Sequence, residues 1–157
     1  MEDRVLLDPR QLSELLKEGN VIPIDTRDPD SYKCGHIPGA VNAHDIFTYL
    51  ATTTPEGQHE LQHKFAAIFG HAGLGGKELG VLYEHSMDTG FGQSCRGYFL
   101  LKFLGYPRAA VLHGGFKAWV DAIGETLRGH EWLTPAFGEG QAARRGARDA
   151  LRAQPGR

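Results

Sequence analysis

Three polar residues stand at the ends of strand-like apolar runs. Asp25 and His113 each follow a short apolar run, and Glu84 comes directly after the run Leu79-Gly80-Val81-Leu82-Tyr83. A carboxylate in such a place can accept hydrogen bonds from a cradle of backbone N–H groups. Further along, Cys95 stands beside Arg96, and a thiol next to a fixed positive charge is a candidate nucleophile. Whether these groups form one site depends on the elements that carry them.

Helix and strand signals alternate along the chain. Asp8 and Pro9 are typical of a helix start, and Gly19 is typical of its end. Thr54-Pro55-Glu56 predicts the start of a second helix, which stops near residues 70–73. Further helices are predicted over 97–104 and 116–122, strands over 21–24, 79–83 and 109–112, and a turn-rich stretch with one more short strand over 32–42.

Strands separated by helices predict a parallel sheet with helices on both faces, which is an α/β sandwich. Ligands of such sheets bind at the carboxyl ends of the strands. Asp25, Glu84 and His113 all fall at predicted carboxyl ends, so we expect them at one edge of the sheet. Pro23 lies within a predicted strand, and proline is tolerated only near a strand start or edge.

Three motifs carry a resemblance to a known family. The first is Ile24-Asp25-Thr26-Arg27, the second is Cys34-Gly35-His36-Ile37-Pro38-Gly39-Ala40-Val41-Asn42, and the third is Leu112-His113-Gly114-Gly115-Phe116-Lys117-Ala118-Trp119. Together they resemble the rhodanese (sulfurtransferase) domain family. The resemblance implies a rhodanese-like three-layer α/β sandwich with a mainly parallel five-stranded sheet and helices on both faces. We expect one such domain over residues 5–135, followed by a basic, alanine- and arginine-rich tail over 136–157.

The family's activity depends on one cysteine placed directly after the central strand. Backbone N–H groups and a helix N-terminus stabilise its thiolate, and later a persulfide. In this chain Glu84 holds that position. The resemblance is to the non-catalytic N-terminal half of two-domain thiosulfate sulfurtransferases, and it implies that the active-site-equivalent loop contains Glu84, His85, Ser94 and Arg96.

The remaining motif residues are expected to support that loop. By the resemblance, Asp25 and Arg27 form an ion-pair frame that braces the loop, and His36 satisfies backbone groups within its own turn. The alternative for Asp25 and Arg27 is direct contact with a substrate. Gly114-Gly115 lets the chain turn tightly beside the site, and Trp119 anchors the following helix in the core.

Cys95 is the alternative carrier of sulfur. It lies at the predicted helix start beside Arg96, where dipole and charge would favour a thiolate. The family nucleophile, however, begins the loop, whereas Cys95 ends it, and a cysteine there is also a common small packing residue. Cys34 precedes the Gly-His turn and is a weaker candidate.

Two functions are therefore the main alternatives, and the residues argue against two others. The first is a catalytically silent domain that acts as the structural or docking half of a thiosulfate or mercaptopyruvate sulfurtransferase system. The second is an active sulfurtransferase with a persulfide on Cys95. Phosphatase chemistry would need a loop of amides between cysteine and arginine, but Cys95 and Arg96 are adjacent. Binding of a small anion such as thiosulfate or sulfate by Arg96 would be opposed by Glu84.

Composition limits the partners. A formal charge of −2 argues against a nucleic acid, and no apolar run is long enough to span a membrane. The expected partners are a catalytic rhodanese domain or a sulfur-acceptor protein. Cys34 and Cys95 lie in unlike contexts, which favours free thiols and the cytoplasm. His59, His63 and His71 share a helical spacing, but a polar helix face explains them better than a metal, and no metal or organic cofactor is implied.

Overall fold

The computed structural model describes residues 4–44, 46, 51–89 and 92–128. Ten helices and strands follow one another within these residues. They are β1 (Leu6–Leu7), α1 (Pro9–Glu18), β2 (Val21–Asp25), α2 (Pro29–Cys34), β3 (Val41–Asn42), α3 (Pro55–Ala72), β4 (Leu79–Tyr83), α4 (Gln93–Phe103), β5 (Ala109–Leu112) and α5 (Gly115–Ala122). The predicted boundary at residue 135 and the predicted tail lie outside the described residues.

The five strands form one sheet in the order β1-β5-β4-β2-β3. Every strand pair in it is parallel, so the carboxyl ends of all strands meet at one edge. β4 is central, as the sequence predicts. This confirms the expected parallel five-stranded α/β sandwich.

Helices cover both faces of the sheet and enclose two apolar clusters. Phe65, Phe69 and Leu101 from α3 and α4 pack on one face, while Leu12 and Trp119 from α1 and α5 pack on the other. Trp119 is only 2% exposed, which agrees with its predicted role as the anchor of the last helix.

Three helices begin with a capping residue followed by proline. Asp8, Thr54 and Asp28 each accept a hydrogen bond from a backbone N–H in the first turn. The first two starts confirm predictions. The third belongs to α2, which occupies the beginning of the stretch that the sequence analysis treated as turns. That interpretation was wrong for residues 32–34, although Asp28-Pro29 carries the same signal as Asp8-Pro9.

Two further expectations need correction. α4 begins at Gln93, four positions before the predicted start at Gly97, because Gly92 adopts the left-handed conformation that turns the chain into the helix (φ 77°). β1 was not predicted either, because its two residues are too few to show a periodic pattern.

The proline in β2 fits the sheet for a local reason. β2 lies between β4 and β3, yet β3 pairs only with the last two residues of β2, beginning at Ile24. Pro23 pairs with Val81 of β4 on the other side. On the side that faces β3, Pro23 therefore has no strand partner within the described sheet. No hydrogen bond between strands is lost there, although proline lacks the N–H that would donate it.

Candidate active site

The carboxyl edge of the sheet brings together two buried carboxylates. Asp25 is the last residue of β2 and is 0% exposed, and Glu84 directly follows β4 and is 1% exposed. His113, which follows β5, is exposed. The parallel topology thus places all three at one edge, as expected, but only the carboxylates are enclosed. A buried carboxylate needs a cation or hydrogen-bond donors. Asp25 is paired with a cation, whereas Glu84 accepts a backbone N–H.

Asp25 is paired with Arg27. The guanidinium Nη2 lies 2.7 Å from Asp25 Oδ2 and Nε lies 3.0 Å from Oδ1, which is a two-pronged ion pair. Burial acts to lower the pKa of Arg27, but the hydrogen bond and charge of Asp25 outweigh it and raise that pKa above its ordinary value. The guanidinium of Arg27 therefore stays charged over the whole physiological range. The two residues thus form the ion pair of the predicted frame, whose bracing role stays a prediction.

The frame extends to β4 and to the turn after α2. Tyr83 donates its hydroxyl hydrogen to Asp25 Oδ2 at 2.9 Å, and the Tyr83 hydroxyl oxygen accepts the Ile37 N–H at 3.2 Å. Burial, followed by the charge of Asp25, raises the pKa of Tyr83 well above its ordinary value, so the phenol remains a donor. Arg27 also donates to the carbonyl of Gly35 at 2.6 Å. One ion pair thus fixes two strands and a turn.

His36 lies in the turn after α2 and makes contacts there through both its backbone and its ring. Its backbone N–H and C=O exchange hydrogen bonds with Leu127, both at 2.9 Å. The imidazole Nδ1 lies 2.9 Å from the carbonyl oxygen of Tyr32, and its ring stacks on that tyrosine with centroids 3.9 Å apart. His36 is fully buried. These contacts support a bracing role within the turn.

Glu84 is held by a helix terminus instead of a cation. Its Oε2 accepts the backbone N–H of Ser94 at 2.8 Å, and Ser94 is in the first turn of α4. The N-terminal end of a helix carries partial positive charge, which stabilises an anion placed there. The Ser94 N–H and the start of α4 thus form a cradle for the carboxylate.

The backbone after β4 is fixed by the start of α5. The carbonyl oxygens of Glu84 and His85 accept the N–H groups of Phe116 and Lys117, at 2.8 and 2.9 Å. Gly115 permits this approach, because a Cβ there would lie 2.5 Å from the carbonyl oxygen of Glu84. The predicted tight turn at Gly114-Gly115 is present, and both residues have positive φ. It holds the loop against α5.

The other predicted loop residues differ in exposure. The side chain of His85 is exposed, while Ser94 is fully buried. The Ser94 hydroxyl has no hydrogen-bond partner among the described residues, so only its backbone N–H contributes to the cradle. Arg96 donates through Nε to the carbonyl of Ile46 at 2.6 Å. That bond ties α4 to the segment after β3.

The structure separates the two thiols from the buried cradle. Cys95 lies in the first turn of α4 and is exposed, whereas its neighbour Ser94 and the carboxylate of Glu84 are buried. Cys34 is the last residue of α2 and is also exposed, and both cysteines are free. The only backbone donor to the Glu84 side chain in the described structure comes from Ser94.

Sequence reasoning missed two contributors to this edge. The ring of Phe116 lies 4.0 Å from the guanidinium carbon of Arg27 and forms a cation–π contact. Tyr83 supplies the hydroxyl that joins β4 to Asp25. The second of these had a signal, because a tyrosine inside an apolar strand needs a partner for its hydroxyl when buried.

No group of three or more histidine, cysteine, aspartate or glutamate residues within the described residues is arranged to hold a metal ion. Nor does any helix in that part of the chain have the length and apolar character needed to cross a membrane.

The family model of the rhodanese-like domain matches residues 8–122. The chain therefore belongs to the rhodanese-like domain family. A Synechococcus elongatus protein provisionally named a thiosulfate sulfurtransferase is 34% identical over 119 residues, which cover 73% of this chain and 35% of that protein. The thiosulfate sulfurtransferase GlpE of Pseudomonas entomophila is 29% identical over 125 residues, which cover 79% of this chain and 93% of GlpE.

A solved structure agrees with this assignment at the level of fold. The crystal structure of SseA from Escherichia coli, described as a 3-mercaptopyruvate sulfotransferase, has a TM-score of 0.63 to this chain at 22% identity. The similar region covers 80% of this chain and 51% of SseA. The chain thus spans about a third of the Synechococcus relative and about half of SseA, but nearly all of GlpE.

Proposed function

We propose that this chain is a sulfurtransferase-type rhodanese domain that is catalytically silent by itself, with Glu84 in the place of the family's cysteine. The observation that carries the proposal is the hydrogen bond from the Ser94 N–H to the buried Glu84 carboxylate. That carboxylate directly follows the central strand, and the first turn of α4 points at it. Glu84 thus occupies a cradle suited to a thiolate.

Sulfur transfer needs a thiolate in that cradle. The thiolate attacks the outer sulfur of thiosulfate, the S–S bond breaks, and sulfite leaves with the electron pair of that bond. An acceptor such as cyanide then attacks the outer sulfur of the persulfide, forms thiocyanate and releases the thiolate. The oxygen of Glu84 cannot form the persulfide, so the first step has no carrier at this position.

A silent domain of this kind would act by docking. Met87 in the loop after β4 is 39% exposed, and Phe99 and Phe103 on α4 are 70% and 42% exposed. A contiguous patch of exposed apolar side chains marks contact with another protein surface, and we propose that these three residues belong to such a patch. We propose a catalytic rhodanese domain or a sulfur-acceptor protein as the partner. The length of the Synechococcus relative, of which this chain covers 35%, supports a system with more than one domain.

The decisive experiment is intact-protein mass spectrometry after thiosulfate treatment, followed by cyanide. The wild type should gain no sulfur atom that cyanide removes, because neither thiol lies in the cradle. Glu84→Cys should gain one, since it places a thiol where the Ser94 N–H and the α4 terminus can stabilise it. Circular dichroism on each variant establishes that it is folded.

The same experiment tests the second candidate function, an active sulfurtransferase that uses Cys95. One observation favours it, namely that Cys95 is an exposed thiol in the helix turn beside the cradle. Its signature is a cyanide-labile sulfur on the wild type that disappears in Cys95→Ser and persists in the matched Cys34→Ser variant. That result would refute silence and identify Cys95 as the carrier.

The location and the ligand of the domain are also proposals. We assign it to a reducing compartment, the cytoplasm, because both cysteines are free and exposed. Thiosulfate or sulfate would meet the Glu84 carboxylate in the cradle, so we expect anion binding only after Glu84→Gln removes that charge. Isothermal titration with thiosulfate on wild type and Glu84→Gln checks this, and equal binding by both proteins would contradict it.

A further inference from the structure

A second concave site lies at the opposite edge of the sheet. A cavity of about 590 Å³ opens at the amino ends of the central strands, where Leu79 begins β4 and Ala109 begins β5. α1 and α4, which cover opposite faces of the sheet, both contribute to its wall. Its volume falls within the range of about 300–1,000 Å³ that is usual for sites of small organic ligands. It is far along the strands from Glu84, at their other end.

The wall of this cavity has an apolar part and a cationic part. The apolar part consists of Val5, Leu7, Leu15, Leu79, Ala109 and the ring of Tyr98. The cationic part consists of Arg4, Arg10, Lys102 and Arg108. All four cations are exposed, so they stand at the mouth, while Leu7 and Ala109 are buried and form the floor.

The positive charge at the mouth exceeds the negative charge, since four cations and two carboxylates line the cavity. No carboxylate oxygen of the described residues lies within 4 Å of any of the four cations, since the ion pairs found there are Lys17–Glu14 and Arg27–Asp25. Glu14 and Glu18 also line the cavity, but Glu14 is engaged by Lys17 at 3.0 Å. A chain with a formal charge of −2 thus concentrates positive charge around one apolar hollow.

Two of the cations are held in place by backbone groups. Arg108 donates through Nη1 to the carbonyl of Lys77 at 2.6 Å. Lys102 donates to the carbonyl of Pro107 at 3.3 Å, and its ammonium lies 5.8 Å from the centroid of the Tyr98 ring. These contacts position the charges without cancelling them, and they leave further N–H donors for a ligand.

We propose that this cavity binds a small amphipathic anion, namely a carboxylic acid with an alkyl or aryl body. The body would pack on Leu7, Leu15 and Ala109, and the carboxylate would accept hydrogen bonds from the arginines at the mouth, whose forked geometry matches it. The excess of cations at the mouth disfavours a metal cation, and an uncharged apolar ligand would gain no charge-assisted hydrogen bond from them. This proposal is independent of any chemistry at Glu84.

The test is a titration of the full chain with straight-chain carboxylates from hexanoate to decanoate, below their micelle concentrations, by isothermal calorimetry. Affinity should rise about fourfold for each added methylene, the value for moving that group from water into an apolar site. Decanol, which has the same body and no charge, should bind about tenfold more weakly than decanoate. In NMR spectra decanoate should shift the amide signals of Gln11, Leu79 and Ala109, and leave that of Ser94 unchanged.

Variants separate the cavity from general attraction to a basic surface. The double variant Arg10→Gln with Lys102→Gln should weaken decanoate binding about tenfold, since it removes two charge-assisted donors. Lys33→Gln removes an exposed charge on α2, outside the cavity, and should leave binding unchanged. Equal affinity of hexanoate and decanoate, equal affinity of decanol, shifts confined to the Ser94 edge, or equal loss in Lys33→Gln would each overturn the proposal. So would the absence of any binding.

Discussion

The two edges of the sheet use charge in opposite ways. At the carboxyl edge, the charges of Asp25 and Arg27 are buried, paired at 2.7 Å and tied to Tyr83 and Gly35. At the amino edge, four exposed cations surround a cavity of about 590 Å³ and, within the described structure, have no carboxylate partner. A buried charge must be compensated within the fold, whereas an exposed charge is stabilised by water. The first edge therefore holds the structure, and the second is available to a ligand.

The largest effect is expected where this compensation is removed. Arg27→Met leaves Asp25 buried without its cation, and such changes lower the free energy of unfolding by about 3–5 kcal/mol. The matched variant Arg10→Met removes an exposed cation at the other edge and should change it by no more than about 0.5 kcal/mol. Urea denaturation monitored by circular dichroism measures both. Similar values for the two variants would refute the distinction between the edges.

A second prediction concerns the backbone that positions Glu84. Gly115 has φ 66°, and a Cβ added there would lie 2.5 Å from the Glu84 carbonyl oxygen. Gly115→Ala should therefore lower the free energy of unfolding by about 2–4 kcal/mol through strain and displacement of the loop.

Gly92→Ala is the matched control for that variant. Gly92 has φ 77° and also begins a helix, but a Cβ there would meet nothing within 4 Å. Gly92→Ala should lower the free energy of unfolding by only about 1 kcal/mol, which is the cost of placing alanine in the left-handed conformation. Equal losses in the two variants would mean that contact with the Glu84 carbonyl does not matter.

Local signals in the sequence were sufficient for much of the fold. The Asp-Pro and Thr-Pro pairs fix helix starts through hydrogen bonds within a single turn, and Asp28-Pro29 would have revealed α2 by the same rule. The sequence of β4 is a short apolar run, which is typical of a strand covered on both faces of a parallel sheet. β1 could not be found, because two residues carry no period and their pairing with β5 is a long-range contact.

The site was less predictable than the fold. The ends of parallel strands placed Asp25 and Glu84 at one edge, since topology alone determines that. The contacts that decide their roles come from distant parts of the chain, such as the Ser94 N–H at Glu84 and the Tyr83 hydroxyl at Asp25. The start of α4 was misplaced, because a serine and a glycine-rich loop give weak helix signals, and that start decides which N–H groups face Glu84.

A smaller effect is expected at high pH, from a tyrosine near the amino edge, whose hydroxyl donates to the carbonyl of Glu78 just before β4. Burial, opposed in part by the Gly76 N–H, raises the pKa of Tyr106 to about 12. The same phenol titrates near a pKa of about 10 in an unfolded chain. The unfolded state then loses its proton first, so the stability contributed by Tyr106 is complete below pH 10 and falls as pH rises towards 12.

Urea denaturation between pH 9 and pH 11 checks this dependence. Tyr106→Phe removes the titrating group and should make the decline in stability with pH shallower, although Tyr32 and Tyr83, whose pKa values burial also raises, will still contribute to it. A slope that is unchanged in Tyr106→Phe would show that the phenol titrates alike in both states.

The smallest expected change in stability distinguishes two buried hydroxyl groups at the carboxyl edge, those of Thr26 and Ser94. The Thr26 hydroxyl donates to the carbonyl of Tyr83 at 3.0 Å, whereas the Ser94 hydroxyl has no partner among the described residues. Thr26→Val should therefore lower the free energy of unfolding by about 1 kcal/mol, the usual net value of a hydrogen bond. Ser94→Ala should leave it unchanged or raise it slightly, because it removes a polar group that burial disfavours.

Ser94→Ala also keeps the backbone N–H that Glu84 accepts, so the cradle itself survives the change. Thermal denaturation of both variants under one set of conditions is sufficient to rank them. If Ser94→Ala were as damaging as Thr26→Val, the serine hydroxyl would have to be hydrogen-bonded in solution. If that hydroxyl donated to Glu84, the carboxylate would be held by a side-chain group as well as a backbone group. Asp25 is held in this way, since it accepts both the backbone N–H and the guanidinium of Arg27.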